Sequence, residues 1–567
     1  MHNRFAVMVP ILLLGGCGDG GGGGIASTPV APSPVNTTIT DLKVSQSFQN
    51  DAAGVRLALD LTTKTGISGQ IRPNSLTISY DAGAKSYSVS ADGRSESFAS
   101  ANLTSSAGGE TKYKIGGAGN SSYLTILTTP YNNPKSNQYA GLGYWQKNAT
   151  TGMRQDTDFY IFTYGLPTAA TAMPRTGLAG FRTDVFGVVS TPGEEPRSFL
   201  GQGDFSVDLA AGVFATRGDL TETTLVTNQG VSGGGIEFTG AGHLSSSAAT
   251  FAGNAVYEGW FGTAGGALSG RFYGPGAEEL GGAFSGANAN GMTVVGGFTG
   301  QRDTTVQPQN LTLTNLTRSQ LFYTQYIDNL VGQLNWQNAE TFTYGPPTSD
   351  MYGGQFTSND KVTSKDPNFT EYRKTFGTAP DSQDVILQLY KPGGSNSELA
   401  LTYASFVHYQ TAVPYGTERE RRDRYGAYGL ETSAGLLSGK TGTGSYRGVV
   451  YGTGKQNAAS VFYDVKGTSQ FAVDFGQQSY AGALAMKGTP TAGGTVIDFG
   501  SYDVAGRLTI NGVTGTLTRG GVEVGQFAPH FYGPDGEEIA APFALTAPTG
   551  AAGAGITITG VAAAKRQ

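Results

Sequence analysis

The sequence predicts an all-β protein of two tandem lobes, each a small antiparallel sheet domain followed by an eight-stranded antiparallel β-barrel. Three observations carry that expectation. The 567 residues include 87 glycines, 28 tyrosines and 29 phenylalanines, as in a sheet protein whose rings pack over gaps in neighbouring strands. Polar and apolar residues alternate through much of the chain, and runs at a 3.6-residue period are scarce. The chain also repeats itself: Tyr139-Ala140 returns as Tyr403-Ala404, and Tyr164-Gly165-Leu166 as Tyr428-Gly429-Leu430, both 264 positions on. Phe181-Arg182 and Phe186-Gly187 return as Tyr446-Arg447 and Tyr451-Gly452 at an offset of 265. A register held that long marks an internal duplication.

Length and charge bound the rest. The chain has room for about three to five units of about 100–200 residues. Its net charge of −6 opposes a phosphate backbone, so nucleic acid is not an expected partner. Of four histidines, His2 falls in a leader, and His243, His408 and His530 are too scattered for a metal cage. No cofactor is expected.

In chain order, Arg4 and the apolar residues 5–14 precede Leu14-Gly15-Gly16-Cys17. This reads as a signal peptide over residues 1–16, too short to span a bilayer. LGGC resembles the lipobox of bacterial lipoproteins, which implies cleavage before Cys17 and its lipidation. Cys17 is the only cysteine and cannot form an internal disulfide, which suits that role. Residues 17–37 begin glycine-rich and read as a flexible tether.

Residues 38–164 form the first sheet domain, with Leu76, Ile78 and Tyr80 alternating against Thr77 and Ser79. Within it a long loop, residues 130–138, carries Tyr131, Asn132 and Asn133 as candidate ligand contacts. Prolines at its start and middle limit the entropy lost on binding, and a tyrosine is a rigid anchor. Pro167 and Pro174 mark a transition. Eight candidate strands follow within 177–300, and residues 165–304 are expected to close as the first barrel, leaving no open edge. By the duplication, residues 305–429 are the second sheet domain and 430–563 the second barrel.

Several strings imitate catalytic motifs. Residues 434–441, AGLLSGKT, satisfy a relaxed phosphate-loop pattern, but alternating residues follow where a helix is required. Residues 230–234, GVSGG, fit a nucleophile elbow without its strand-to-helix setting. Glu278-Glu279 and Glu537-Glu538 are adjacent in extended chain and read as solvated connections rather than acid–base pairs. His530 reads as a surface imidazole, and residues 418–424, ERERRDR, as a solvated loop. No catalytic residue is assigned, and the chain is not read as an enzyme.

Residues 270–284, GRFYGPGAEELGGAF, and 530–543, HFYGPDGEEIAAPF, share a strand, a tight turn, an acidic pair and a second strand. This pattern resembles the closing hairpin of the barrels of the transferrin-binding protein B family, and residues 441–452, TGTGSYRGVVYG, are similar to its barrel-opening strand. The resemblance implies that the sheet domains are the family's handle domains. It further implies an outer-membrane, lipid-anchored protein displayed at the cell surface. Such a protein binds a protein ligand that carries iron or haem, through its first lobe, and passes it to an outer-membrane transporter. Relatives that bind complement regulators would share the same motifs. A small-molecule carrier remains a second class, since an eight-stranded barrel can hold one ligand. Filled barrel interiors would favour a protein receptor, and a lined cavity would favour a carrier.

Overall fold

A computed structural model describes residues 35–567 apart from 74, 118, 416–417, 457–460 and 510–511. The leader, Cys17 and most of the tether lie outside the described residues.

The first lobe opens with two facing sheets. A four-stranded sheet (Gln46–Phe48, Leu76–Asp81, Ser86–Ala91, Arg94–Phe98) covers a seven-stranded one whose central strands are Ala52–Asp60, Arg154–Gly165, Ala140–Thr151 and Asn120–Leu127. Because successive side chains alternate, Arg154–Gly165 feeds two cores. Tyr160, Phe162 and Tyr164 join Phe48, Ile78, Phe98 and Trp145 between the sheets. Phe159 and Ile161 turn the other way and pack with Leu142, Val188 and Val295 against the barrel. Burial on both faces accounts for the short apolar stretch 159–162 within this strand.

The first barrel closes when its opening strand Leu178–Ser190 pairs with its last, Thr293–Arg302, from Phe181↔Arg302 to Ser190↔Thr293. Its eight strands match the eight expected from the sequence. The lumen is packed with Phe181, Phe199, Phe205, Phe214, Phe238, Phe251, Phe272, Phe284 and Phe298. Ring centroids stand as close as 4.3 Å for Phe238–Phe284 and 4.9 Å for Phe205–Phe214. These rings lie over glycines. A Cβ at Gly187 would come within 2.2 Å of the Phe199 ring, and one at Gly296 within 2.3 Å of Phe284.

The second lobe repeats the plan with changes. Its handle is one nine-stranded sheet, centred on Gln320–Gln325, Glu418–Gly429, Ala404–Tyr415 and Gln383–Tyr390. The expected solvated loop at 418–424 is instead the start of the strand Glu418–Gly429, paired from Glu418↔Tyr415 to Gly429↔Ala404. The charged run misled because its alternate residues find partners: Arg421 reaches Asp423 at 2.8 Å and lies 4.6 Å over the Phe462 ring. The second barrel closes where Val522–Phe527 pairs with Glu538–Thr546. His530–Tyr532 resumes the same strand after a break at Ala528-Pro529. Pro529 has no N–H for the ladder, whereas its first-lobe match, Gly270, stays within the unbroken strand Gly262–Tyr273. Tyr446, Phe471, Tyr502, Phe531, Phe543 and Ile558 fill the second lumen.

The two FYGP hairpins occupy equivalent places. Gly274 and Gly533 both have positive φ, 87° and 92°. Their amides donate to Leu166 and Leu430, each at 2.9 Å. Thr168 and Thr432 hydroxyls donate to their carbonyls.

Candidate functional site

The acidic pairs hold the lobes together internally. Alternation along the strand turns Glu278 outward and Glu279 inward, where it is buried. Its carboxylate accepts backbone N–H bonds from Gln138, Tyr139 and Ala140 at 2.7–2.8 Å. Glu538 is fully buried and accepts from Thr402, Tyr403 and Ala404 at 2.7–2.8 Å. The expectation of solvated connections therefore fails for one residue of each pair, because unpaired amides at the handle–barrel junction need an acceptor. Burial holds both carboxyls above the usual range, against the pull of those donors.

His530 also departs from the surface reading. It sits beside the strand break, and burial pushes its pKa down to about 4. It is neutral at pH 7, so its Nδ1, 3.7 Å from Glu431 Oε1, forms no ion pair. Lys440 of the phosphate-loop string contacts Asp535 and lies 5.1 Å over the Phe475 ring, and the strand Thr443–Gln456 follows it. Residues 230–234 fall within the strand Gly230–Leu244. Among the described residues, no group of three or more His, Cys, Asp or Glu could hold a metal ion. No described helix is long and apolar enough to cross a membrane.

Of the candidate contacts, Tyr131 is 44% exposed, and its hydroxyl donates to Glu110 Oε1 at 2.6 Å. That hydroxyl also lies 3.1 Å from the Tyr144 hydroxyl, and the ring meets Phe186 edge-on at 5.5 Å. Burial, ahead of its neighbour Tyr144, raises the phenol pKa. The Asn132 carbonyl accepts from Gln202 Nε2 at 2.9 Å, and Asn133 Oδ1 accepts from the Lys135 amide at 3.0 Å. The loop thus lies along the flank of the first barrel, offering one face of one ring.

A larger apolar surface, missed in the sequence, stands at one end of the first lobe. Two barrel hairpin tips expose Leu225, Val226, Trp260 and Phe261, at 40–53% of their surface. The neighbouring handle hairpins expose Leu61, Ile67 and Met153. Backbone bonds knit these tips together. Leu225 donates to Pro196 at 2.9 Å, Gly66 to Glu194 at 2.8 Å, and Leu61 to Met153 at 2.8 Å. Glu195 Oε1 accepts from the Val226 and Thr227 amides at 2.7 Å. The Arg197 guanidinium, 4.2 Å over the Phe261 ring, fixes the second tip. The available signal was two apolar pairs, Leu225-Val226 and Trp260-Phe261, at positions where turns carry polar residues.

The geometry defines a class: a two-lobed protein of handle sheets and filled barrels, with apolar side chains exposed on hairpin tips of the first lobe. Residues 439–566 match the family model described as the C-lobe and N-lobe beta barrels of Tf-binding protein B, and the chain is similar to transferrin-binding protein B. No curated protein matches it. Among solved structures, a double mutant of Transferrin Binding Protein B from Haemophilus parasuis Hp5 is 16% identical. That match covers 78% of this chain and 85% of the other, with a TM-score of 0.27. Isotype 1 Transferrin binding protein B from serogroup B Neisseria meningitidis is 16% identical over 76% of this chain and 86% of its own, TM-score 0.25. The N-lobe of Lactoferrin Binding Protein B of Moraxella bovis is 16% identical over 34% and 80%, TM-score 0.21.

Proposed function

We propose that the chain is a surface receptor that captures a protein ligand carrying iron or haem through the exposed apolar end of its first lobe. It then presents that ligand to an outer-membrane transporter. One observation carries this reading: Leu225, Val226, Trp260 and Phe261 stay exposed on two tips, the first held by Glu195 and the second by Arg197, which is the character of a protein-docking patch. Both lumens are packed with side chains, which removes the reason to assign a small-molecule carrier. In the same reading, residues 38–164, 165–304, 305–429 and 430–563 are the four domains. Cys17 is the lipidated anchor to the outer membrane, and Tyr131, Asn132 and Asn133 are flanking contacts. The test is capture by the full mature chain, immobilised, from serum or iron-starved growth medium, with the captured protein identified and its iron assayed. Trp260→Ser with Phe261→Ser should weaken capture about tenfold or more, since an interface aromatic is commonly worth 2 kcal/mol or more. Tyr131→Ala should weaken it less. A captured protein that contains neither iron nor haem, or that binds the double variant undiminished, would reject the proposal.

A further inference from the structure

The two lobes differ at one sheet edge. In the first, the strand Ala52–Asp60 extends the handle sheet by pairing antiparallel with Arg154–Phe162 along nine consecutive positions. The duplication offset of 264 maps residues 154–162 onto 418–426. There the neighbouring strand Gln320–Gln325 pairs with Glu418–Gly429 once only, Gln325↔Ala427, just beyond that stretch. Among the described residues, 418–426 pair with a strand on one side alone. Alternate backbone N–H and C=O groups along them lie on an open edge, which is a template for another chain.

What lies under that edge has changed as well. In the first lobe, Ala53, Val55 and Leu57 press onto Val188, Ala283 and Val295 of the barrel wall. In the second, a groove of about 290 Å³ takes the same place, its lining carrying four cations, Arg421, Arg422, Arg424 and Lys455, against two carboxylates, Glu420 and Asp423, beside Thr453 and Thr559. Thr453 stands at the duplicate position of Val188. The edge strand carries four arginines against Glu418, Glu420 and Asp423, and Lys455 adds a fifth cation across the groove. Arg421 already pairs with Asp423, and Lys455 and Arg422 with Glu420, so the lining keeps an excess of two cations, which carboxylates and small hydroxyls complement better than an apolar strand like Ala52–Asp60 does.

We propose that residues 418–426 are a strand-addition site for an extended, acidic segment of a partner protein. That segment lies antiparallel to the edge and alternates carboxylate with small polar side chains. Main-chain hydrogen bonds supply affinity, and the cations over the groove select the charge. The site is independent of the first-lobe reading, so Trp260→Ser should leave it intact.

The probe is a capped nine-residue peptide of alternating threonine and glutamate, with a threonine–lysine peptide as control, added to the full mature chain. Residue-resolved hydrogen exchange should show alternate amides of 418–426 exchanging fast in the free chain. They should slow severalfold with the acidic peptide and remain unchanged with the basic one. Lys455→Glu should weaken peptide binding about tenfold, the effect of reversing one close charge at an interface. Arg421→Glu combined with it should weaken binding further. Amides already protected in the dilute free chain would overturn the proposal, as would equal binding of both peptides or protection confined to another strand. Protection that rises with chain concentration in the absence of peptide would also overturn it, assigning the edge to a second copy.

Discussion

Glu279 and Glu538 each organise a handle–barrel junction. Three consecutive amides converge on each carboxylate, so truncating it leaves several buried donors without an acceptor. Each orphaned group costs about 1–3 kcal/mol, reduced where water enters. Glu279→Ala should therefore lower the unfolding free energy by on the order of 3 kcal/mol. Glu538→Ala should do at least as much, and Glu→Gln at either site less. Urea denaturation checks this, and a loss within about 0.5 kcal/mol, the size of a surface substitution, would show that the amides find other partners. The sequence held more of this than was read from it. Alternation placed the two acids of each pair on opposite faces, as found. The duplicated Tyr139-Ala140 and Tyr403-Ala404 were themselves the donors, but only the fold brings them to residues more than a hundred positions away. His530 was misread for a related reason, because burial is a tertiary property that a polar residue type conceals.

Strands are the scale at which the sequence was most legible, because alternation with period 2 survives wherever one face is wet. The eight strands of the first barrel were legible on that basis. The charged segment 418–424 was not, because a strand whose charges pair along and across the sheet has the composition of a loop. Pro529 went unread, and that it interrupts a strand rather than ends one depends on the partner, Glu538–Thr546. Ring-over-glycine packing gives this scale its own test. At Gly187 a Cβ would meet not only Phe199 but the Val295 carbonyl oxygen at 2.3 Å and the Gly296 Cα at 2.7 Å, so the backbone itself must move. Gly187→Ala should destabilise the first barrel by about 1–3 kcal/mol, the usual cost of overpacking. Gly230→Ala, which meets nothing within 4 Å, should cost far less. Thermal unfolding of the two variants side by side measures the difference.

At the scale of the whole chain, the two lobes touch through one apolar cluster, in which Val213 of the first barrel joins Tyr403, Tyr451 and Val561 of the second lobe, and through polar and small groups. The helix Ala434–Ser438 and the turn after it lie on the first barrel, with Gly435 against Val256 and Gly439 against Gly265. Asn254 Nδ2 donates to Asp535 Oδ1 at 2.9 Å. Beside it His243 Nε2 lies 2.5 Å from Glu537 Oε1, joining a first-barrel strand to the second FYGP hairpin. The groups facing His243 are Glu537 and Asp535, opposed by Lys440. The hydrogen bond to Glu537, outweighing burial, raises the His243 pKa. A histidine whose folded pKa is raised contributes stability that is fully present below its unfolded pKa, about 6.5, and that fades as pH rises through the folded value. The contact between barrels should therefore be firmest in mild acid and loosen toward alkaline pH. His243 is nearly half exposed, so the effect is modest and falls with added salt. Scanning calorimetry at pH 5.5 and pH 8.5 in low salt tests it. The intact chain should lose more of its melting temperature on going to pH 8.5 than His243→Gln does, and that excess should shrink in 0.5 M salt. Equal losses would mean that the histidine is a bystander and that the remaining contacts, the helix packing and Asn254–Asp535 among them, fix the two barrels.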